Sequence, residues 1–329
     1  MHFCFCSYNV GCESGYKYLL DYHKIDSKET SAKKLYHDAQ KETGNRLGKD
    51  YISVFLLQEL GDPTQVPLAQ YLLANQYSII GDPIGRAYNT AVVISTQHFE
   101  SIKQVDIKVD GFTQKVAAAT AIKKGSGKVC LFVSEYLPII SSFAESVLKY
   151  DNDQRQMNHE FQKKVLEQIR SIKADVILIG ANMHNNPKVH RTTFDVMKSH
   201  KLKIVESVHP TNVYTVGKSH EERKIDFVFH KLNFWTWITK KIRVDSNIHW
   251  VMDVTSDESW KRNASHHTPL TGSVTIEDGY LGEGLNFANA LIKQVGKVLT
   301  LRNVSIAISC IAGISLGFWM RSAHVAALA

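Results

Sequence analysis

Three short stretches hold side chains whose types and places suit metal-assisted or acid–base chemistry. In Asp175-Val-Ile-Leu-Ile-Gly180-Ala-Asn-Met-His-Asn-Asn-Pro187 a β-branched apolar run breaks into asparagine, histidine and proline. That is the pattern of a buried strand running into a loop. Asn182 and His184 fall where a sheet holds side chains rigidly beside open space, a place suited to binding and proton transfer. The largely apolar run Ile52–Leu57 delivers Gln58 and Glu59. A carboxylate at the end of a buried strand is costly unless a cation or a donor pairs with it, and a hard divalent ion such as Mg²⁺ meets that need. The competing reading is a strand-end glutamate facing water. The adjacent His266 and His267 are a third cluster, although a softer metal would need further ligands that no neighbouring spacing supplies.

These groups need a scaffold, and the chain reads as alternating strands and helices. Residues 3–10 alternate as a strand ending at Asn9 beside Gly11, where asparagine before glycine is also an ordinary turn signal. The polar stretch 13–50 contains good helix material at Ser31–Gln40. Residues 66–75 predict a helix; 77–80, 90–95 and 116–122 predict strands, with turns at Gly81–Gly85 and Lys123–Gly127. Strands in this succession suggest an antiparallel segment at the edge of one sheet. Lys128–Val133 is a further strand, Asp153–Ile172 a helix with a core stripe of Phe161, Val165, Leu166 and Ile169, residues 192–201 a helix, and Lys224–Phe229 a strand.

At 329 residues and 44% hydrophobic content the chain can bury a large core. Residues 1–280 show no linker, charge run or repeat, which favours one domain there. A formal charge of +7 fits a polyanionic partner, and is equally a solubility device. Five cysteines without a Cys-x-x-Cys pair argue against a disulfide framework or zinc ribbon, and Cys4 and Cys6 read as packing residues. The first residues lack the charged, apolar and small-residue regions of a secretory signal, so the sequons at Asn263 and Asn303 read as chance matches.

Five further stretches occur in one order with the Asp175 run: Ser7-Tyr-Asn9-Val-Gly11; Val54-Phe-Leu-Leu-Gln-Glu59-Leu60; Val133-Ser-Glu-Tyr136-Leu-Pro138; Lys224-Ile-Asp226-Phe-Val-Phe229; and Ser265-His-His267-Thr-Pro-Leu270. Together they resemble the endonuclease/exonuclease/phosphatase superfamily over roughly residues 3–276. The resemblance implies a two-sheet α/β sandwich and metal-dependent phosphoesterase chemistry. It implies Glu59 as the Mg²⁺ ligand, Asn9 and Tyr136 facing phosphate, and Asp226 and His266 in supporting places. His267, Asn182 and His184 would take the catalytic positions.

Three positions depart from the family pattern. Tyr136 stands where that pattern has a phosphate-binding histidine, and a phenol donates one hydrogen bond but carries no positive charge. With Pro187 held in register with Gly-Gly-Asp-Phe-Asn-x-x-Pro, Asn182 stands at the aspartate and His184 at the asparagine. A neutral amide at 182 accepts no proton near neutral pH. His266 replaces an aspartate. The resemblance therefore leaves two functions open: a phosphoesterase with impaired catalysis, acting on nucleic acid, phospholipid or inositol phosphate, or a pseudoenzyme that binds a phosphate ligand or a protein.

Beyond the domain, residues 286–301 read as an amphipathic basic segment, and Val304–Met320 is uncharged and largely apolar, with Gly313 and Gly317 spaced as GxxxG. As a helix the latter spans about 26 Å against a hydrocarbon core of about 30 Å, so it is a candidate transmembrane helix. Lys293, Lys297 and Arg302 upstream place the domain on the cytosolic side of a membrane by the positive-inside rule. Deleting residues 286–329 is expected to leave a soluble domain and to release the protein from the membrane fraction. Full chain in the soluble fraction together with an insoluble truncation would mark a packed core helix instead.

Overall fold

The computed structural model describes residues 2–11, 13–25, 29–49, 52–62, 66–84, 87–112, 116–138, 147–183, 187–205, 212–216, 219–223, 226–232, 240–248, 254–255 and 265–278. In chain order the elements are β1 (His2–Asn9), α1 (Glu13–Tyr22), α2 (Glu29–Lys49), β2 (Ile52–Gly61), α3 (Pro67–Ala74), β3 (Tyr77–Ile84), β4 (Ala87–Ser95), β5 (Phe99–Val105), β6 (Val116–Lys123) and β7 (Lys128–Tyr136). There follow α4 (Val147–Arg170), β8 (Val176–Asn182), α5 (Pro187–Ser199), β9 (Lys203–Val205), β10 (Asn212–Val216), β11 (Ser219–Arg223), β12 (Asp226–Leu232), β13 (Lys240–Ile248) and β14 (Leu270–Asp278).

The chain divides into two compact units. The larger comprises His2–Lys231 and Val244–Val274 and holds every described site residue. The smaller comprises Met1, Leu232–Arg243 and Thr275–Ala329, described only at strand residues 232, 240–243 and 275–278. Two six-stranded sheets run in the orders β13-β14-β1-β2-β4-β3 and β5-β6-β7-β8-β12-β9, and β10-β11 is a separate hairpin. Each large sheet has a parallel pair among mainly antiparallel neighbours, β1 with β2 and β7 with β8. A parallel pair needs a long crossover; α1 and α2 provide one, α4 the other. Both pairs run to carboxyl ends that carry polar side chains: Asn9 and Gln58 on one, Tyr136 and Asn182 on the other.

Side-chain alternation sorts each parallel pair into an outer face under helices and an inner face toward the opposite sheet. Outward, Val133, Ile179 and Ala181 pack with Phe161, Val165, Leu166 and Ile169 of α4. On the other sheet Phe55, Leu57 and Val93 pack with Leu47 of α2 and Leu68 and Leu72 of α3. Inward, Phe3, Phe99 and Phe132 meet edge to face with centroids 5.4–6.0 Å apart. Toward the carboxyl ends the inner layer turns polar and tight. Ser134 Oγ donates to the Leu57 carbonyl at 2.7 Å, and Gln58 Nε2 donates to Ser134 Oγ at 3.1 Å and to the Leu56 carbonyl at 2.9 Å. Thr90 Oγ1 accepts from the Ala117 amide at 3.0 Å. A Cβ on Gly180 would lie 2.5 Å from Ser7 Oγ and 2.7 Å from Leu56 Cβ, so only glycine lets β8 approach β1 and β2 this closely.

Several sequence expectations change. Strand β3 continues through Gly81–Ile84, where a turn was expected. The strands between 77 and 122 do not form one sheet edge: β3 and β4 join one sheet and β6 the other. Asn182 is the last residue of β8, where a place just past the strand was expected, and β2 runs two residues beyond Glu59. Helix α2 covers the helix material expected at 31–40, and α1 is a further helix earlier in the polar stretch. His184 and the segments 286–301 and 304–320 lie outside the described residues. Among the described residues no helix is long and apolar enough to cross a membrane.

Opposite the inner face, Glu135 is wholly buried under α4, in a polar row with Gln154, Asn158 and Gln162 at helical spacing. Gln162 Nε2 donates to its Oε2 at 3.3 Å, while Oε1 has no hydrogen-bond partner among the described residues. Burial pushes this carboxyl up from 4.5 to about 8, against the smaller downward pull of Gln162. The folded state therefore holds a proton that the unfolded chain releases, and stability is greatest below the ordinary carboxylate value and falls as pH rises toward 8. Glu135→Gln is expected to flatten that fall and to make the variant the more stable protein at pH 8. Urea midpoints measured across the range check this.

Candidate active site

Glu59 reaches the inner face through a local irregularity in β2. Gln58 pairs with Thr90, but the next pair is Gly61 with Tyr88, so β2 holds one residue more than β4 over this step. This is a β-bulge, and Glu59 takes its left-handed position at φ 52°. In regular alternation Glu59 would share the helix-covered face of Phe55 and Leu57; the bulge turns it instead toward β7. There Glu59 Oε1 accepts a 2.6 Å hydrogen bond from the hydroxyl of Tyr136, the last residue of β7. A left-handed glutamate costs roughly 1–3 kcal/mol, a strain that concentrates at functional sites.

Asn9 ends β1 one register position from this bulge, opposite Gln58. Its Oδ1 accepts the Gly11 amide at 2.8 Å, which closes an Asx turn, and Gly11 at φ 67° permits that turn. The buried Asn9 Nδ2 has no hydrogen-bond partner among the described residues. An unpaired buried donor costs about 1–3 kcal/mol unless a ligand or water accepts from it. The same turn touches the segment before β14: a Cβ on Gly11 would lie 2.8 Å from Ser265 Oγ.

That segment supplies His267. Ser265 Oγ accepts the His267 amide at 3.2 Å, fixing the bend. Asp226, at the start of β12, receives His267 Nδ1 on Oδ2 at 2.8 Å and Asn182 Nδ2 on Oδ1 at 2.7 Å. The His267 and Asp226 side chains are 3% and 1% exposed, so the pair sits in a low-dielectric setting where its orientation is firmly held. With Nδ1–H donated to Asp226, Nε2 is the nitrogen carrying the lone pair. Asn182 Nδ2 also lies 3.4 Å from His267 Nδ1, but two donors face each other there, so this is packing and not a hydrogen bond. His266 stacks edge-on against His267 at 4.3 Å.

The structure thus gathers Asn182, Asp226 and His267 into one cluster and Glu59 with Tyr136 into another; Asn9 lies at the end of the strand beside Glu59's. His184 lies outside the described residues. Among the described residues no three His, Cys, Asp or Glu side chains converge on one point. Those present form no closed cage for zinc, and the His266–His267 pair gains no third ligand there. One carboxylate at the cleft does fit Mg²⁺, which keeps several waters and takes its remaining ligands from substrate phosphates. Sequence reasoning assigned no role to Gln58, Ser134 or Gly180, which pin the two sheets together beside the site. A glutamine within the apolar run of β2 was the available signal.

No protein-family profile matches the chain, and comparison with curated protein sequences finds no match. Solved structures do match. D. rerio TDP2 complexed with single-strand DNA product is 12% identical, over 84% of this chain and 99% of that one, with a TM-score of 0.54. ANGEL2, a 2′,3′-cyclic phosphatase in complex with adenosine-2′,3′-vanadate, is 11% identical over 83% and 95%, with a TM-score of 0.57. An endonuclease/exonuclease/phosphatase family protein from Bacteroides thetaiotaomicron is 12% identical over 85% and 99%, with a TM-score of 0.56. The fold is that of the endonuclease/exonuclease/phosphatase superfamily. Among the described residues Asn9, Tyr136 and Asn182 end β1, β7 and β8, Asp226 opens β12, and Ser265–His267 precede β14.

The bulge makes a separable prediction. Glu59→Gly and Glu59→Ala both lose the Tyr136 bond, but only alanine keeps the left-handed strain. The glycine variant is expected to be the more stable by about 1 kcal/mol in urea unfolding. Equal stability would mean that the left-handed conformation is not held in solution.

Proposed function

We propose that this chain is a phosphate-ester-binding protein on an Mg²⁺-dependent phosphoesterase scaffold whose catalysis is impaired, anchored to a membrane by its C-terminal segment with the domain facing the cytosol. The observation that carries the phosphoesterase reading is the buried Asp226–His267 pair at 2.8 Å, set among the carboxyl strand ends of both sheets. Asp226 holds the imidazole in one tautomer and one orientation. His267 Nε2 can then take a proton from an attacking water or return one to a leaving oxygen. Asn9 offers its unpaired amide hydrogen to a phosphate oxygen. Glu59 is the carboxylate that would hold the metal, which when bound supplies charge stabilisation to the phosphoryl group. The DNA product bound to TDP2 and the cyclic-phosphate chemistry of ANGEL2 support a phosphate ester as the ligand class.

Impairment follows from Asn182. Its amide donates to Asp226 and cannot accept a proton, and loss of a general base commonly costs about 10²–10⁴-fold. The replacements at Tyr136, Asn182 and His266 favour the second reading, a pseudoenzyme that binds a phosphate ligand or a protein at a membrane. The membrane half of the proposal is supported by the uncharged run Val304–Met320 and the basic residues before it.

Hydrolysis of a phosphodiester, a 2′,3′-cyclic nucleotide and an inositol phosphate with Mg²⁺ tests the reading. Slow turnover is expected in the parent, lost in His267→Ala and Glu59→Gln. Asn182→Asp is expected to raise it about 10²-fold or more at alkaline pH. The alkaline condition is needed because two carboxylates 2.7 Å apart would otherwise share a proton. Binding of these ligands with no turnover in either the parent or Asn182→Asp would favour the pseudoenzyme. Turnover unchanged by His267→Ala would sink the catalytic assignment.

A further inference from the structure

We propose that Tyr136 is a positioning residue that makes Glu59 a one-oxygen ligand and so biases the site toward Mg²⁺ over Ca²⁺. The inference rests on the reading of Glu59 as the metal-holding carboxylate. Its starting point is the 2.6 Å bond from the Tyr136 hydroxyl to Glu59 Oε1, a length typical of a hydroxyl donating to an ionised carboxylate.

Both partners are held from behind. Gln58, directly before Glu59, is tied by its side chain to Ser134 Oγ and to the Leu56 carbonyl, and the bulge fixes the glutamate backbone at φ 52°. Tyr136 sits in register with Asn182 of the parallel neighbour, and the following Leu137 amide donates to the Asn182 carbonyl at 3.0 Å. Neither backbone can swing away without breaking sheet pairing, so the hydrogen bond is a property of the scaffold.

The consequence concerns denticity. The phenol takes one lone pair of Oε1, so a cation sharing both oxygens would compete with it, and Oε2 is the less encumbered oxygen. Mg²⁺ accepts that arrangement, since it takes single carboxylate oxygens in a tight octahedron and fills the remainder with water and phosphate. Ca²⁺ is larger, takes six to eight oxygens and gains from bidentate carboxylates. The phenol is also a neutral donor, so it orients the carboxylate without repelling an incoming cation, as a protonated histidine at this position would.

The test is calorimetric titration of the full chain with Mg²⁺ and with Ca²⁺. In Tyr136→Phe both Glu59 oxygens become available, and the Kd ratio of Ca²⁺ to Mg²⁺ is expected to fall about tenfold, while Glu59→Gln weakens both ions. An unchanged ratio in folded Tyr136→Phe overturns the inference and leaves the phosphoesterase reading standing. Failure of the parent to bind either ion overturns both. A variant-free measurement stands beside these. The Tyr136 hydroxyl proton, slowed in exchange by its bond, is expected to persist in the proton NMR spectrum of Mg²⁺-saturated parent. Its disappearance on Mg²⁺ binding would show that the metal displaces the phenol, which also overturns the proposal.

Discussion

The site depends on one close approach. Where Gly180 of β8 lies against Ser7 of β1 and Leu56 of β2, the absence of a side chain lets the two sheets come nearer than any other residue would permit. Around that point the inner layer is held by directional bonds: Ser134 to the Leu57 carbonyl, and Gln58 to Ser134. Apolar packing alone is tolerant of small slides, because dispersion is non-directional. A buried hydrogen bond is not, since a slip leaves its partners unpaired at a cost of about 1–3 kcal/mol each. These bonds therefore set the relative register of the two parallel pairs, and with it the spacing of the strand ends that carry the site.

From that fixed register the polar side chains divide into two kinds. Asp226 is buried and fully engaged, one oxygen with His267 and the other with Asn182. A buried carboxylate with both oxygens hydrogen-bonded holds its partners in one orientation. Glu135 is equally buried on the opposite face of β7, but one oxygen lacks a partner among the described residues, and burial favours its neutral form. Two carboxyls of similar burial thus differ in their hydrogen-bond complements: the cleft holds the one that positions two side chains, and the helix-facing layer the one whose burial raises its pKa.

Much of the order of elements as far as β8, and the placing of polar residues at strand ends, could be read from the chain alone, whereas α1, β5, β9–β11, β13 and β14 were not. An alternating run ending at Asn9 and largely apolar runs leading to Gln58 and Glu59 and to Asn182 indicate strands, and the apolar stripe Phe161, Val165, Leu166 and Ile169 indicates a helix laid on a sheet. Local signals of this kind carry because they follow from side-chain geometry within a few residues. The motifs in sequence order were enough to anticipate the two-sheet α/β sandwich now seen in the strand orders.

What pairs with what lay beyond that reach. Tyr136 and Glu59 are 77 residues apart, His267 and Asp226 are 41 apart, and Asn182 and Asp226 are 44 apart. No local periodicity reports such meetings, because they are set by sheet order and register. The bulge at Glu59 shows the limit most clearly. Alternation along β2 assigns Glu59 to the helix-covered face, and one extra residue in the pairing with β4 turns it to the cleft. The sequence determined that a carboxylate would stand at the end of that strand. Only the tertiary structure decided which way it faces and that a phenol holds it, since both follow from pairing with strands distant in the chain.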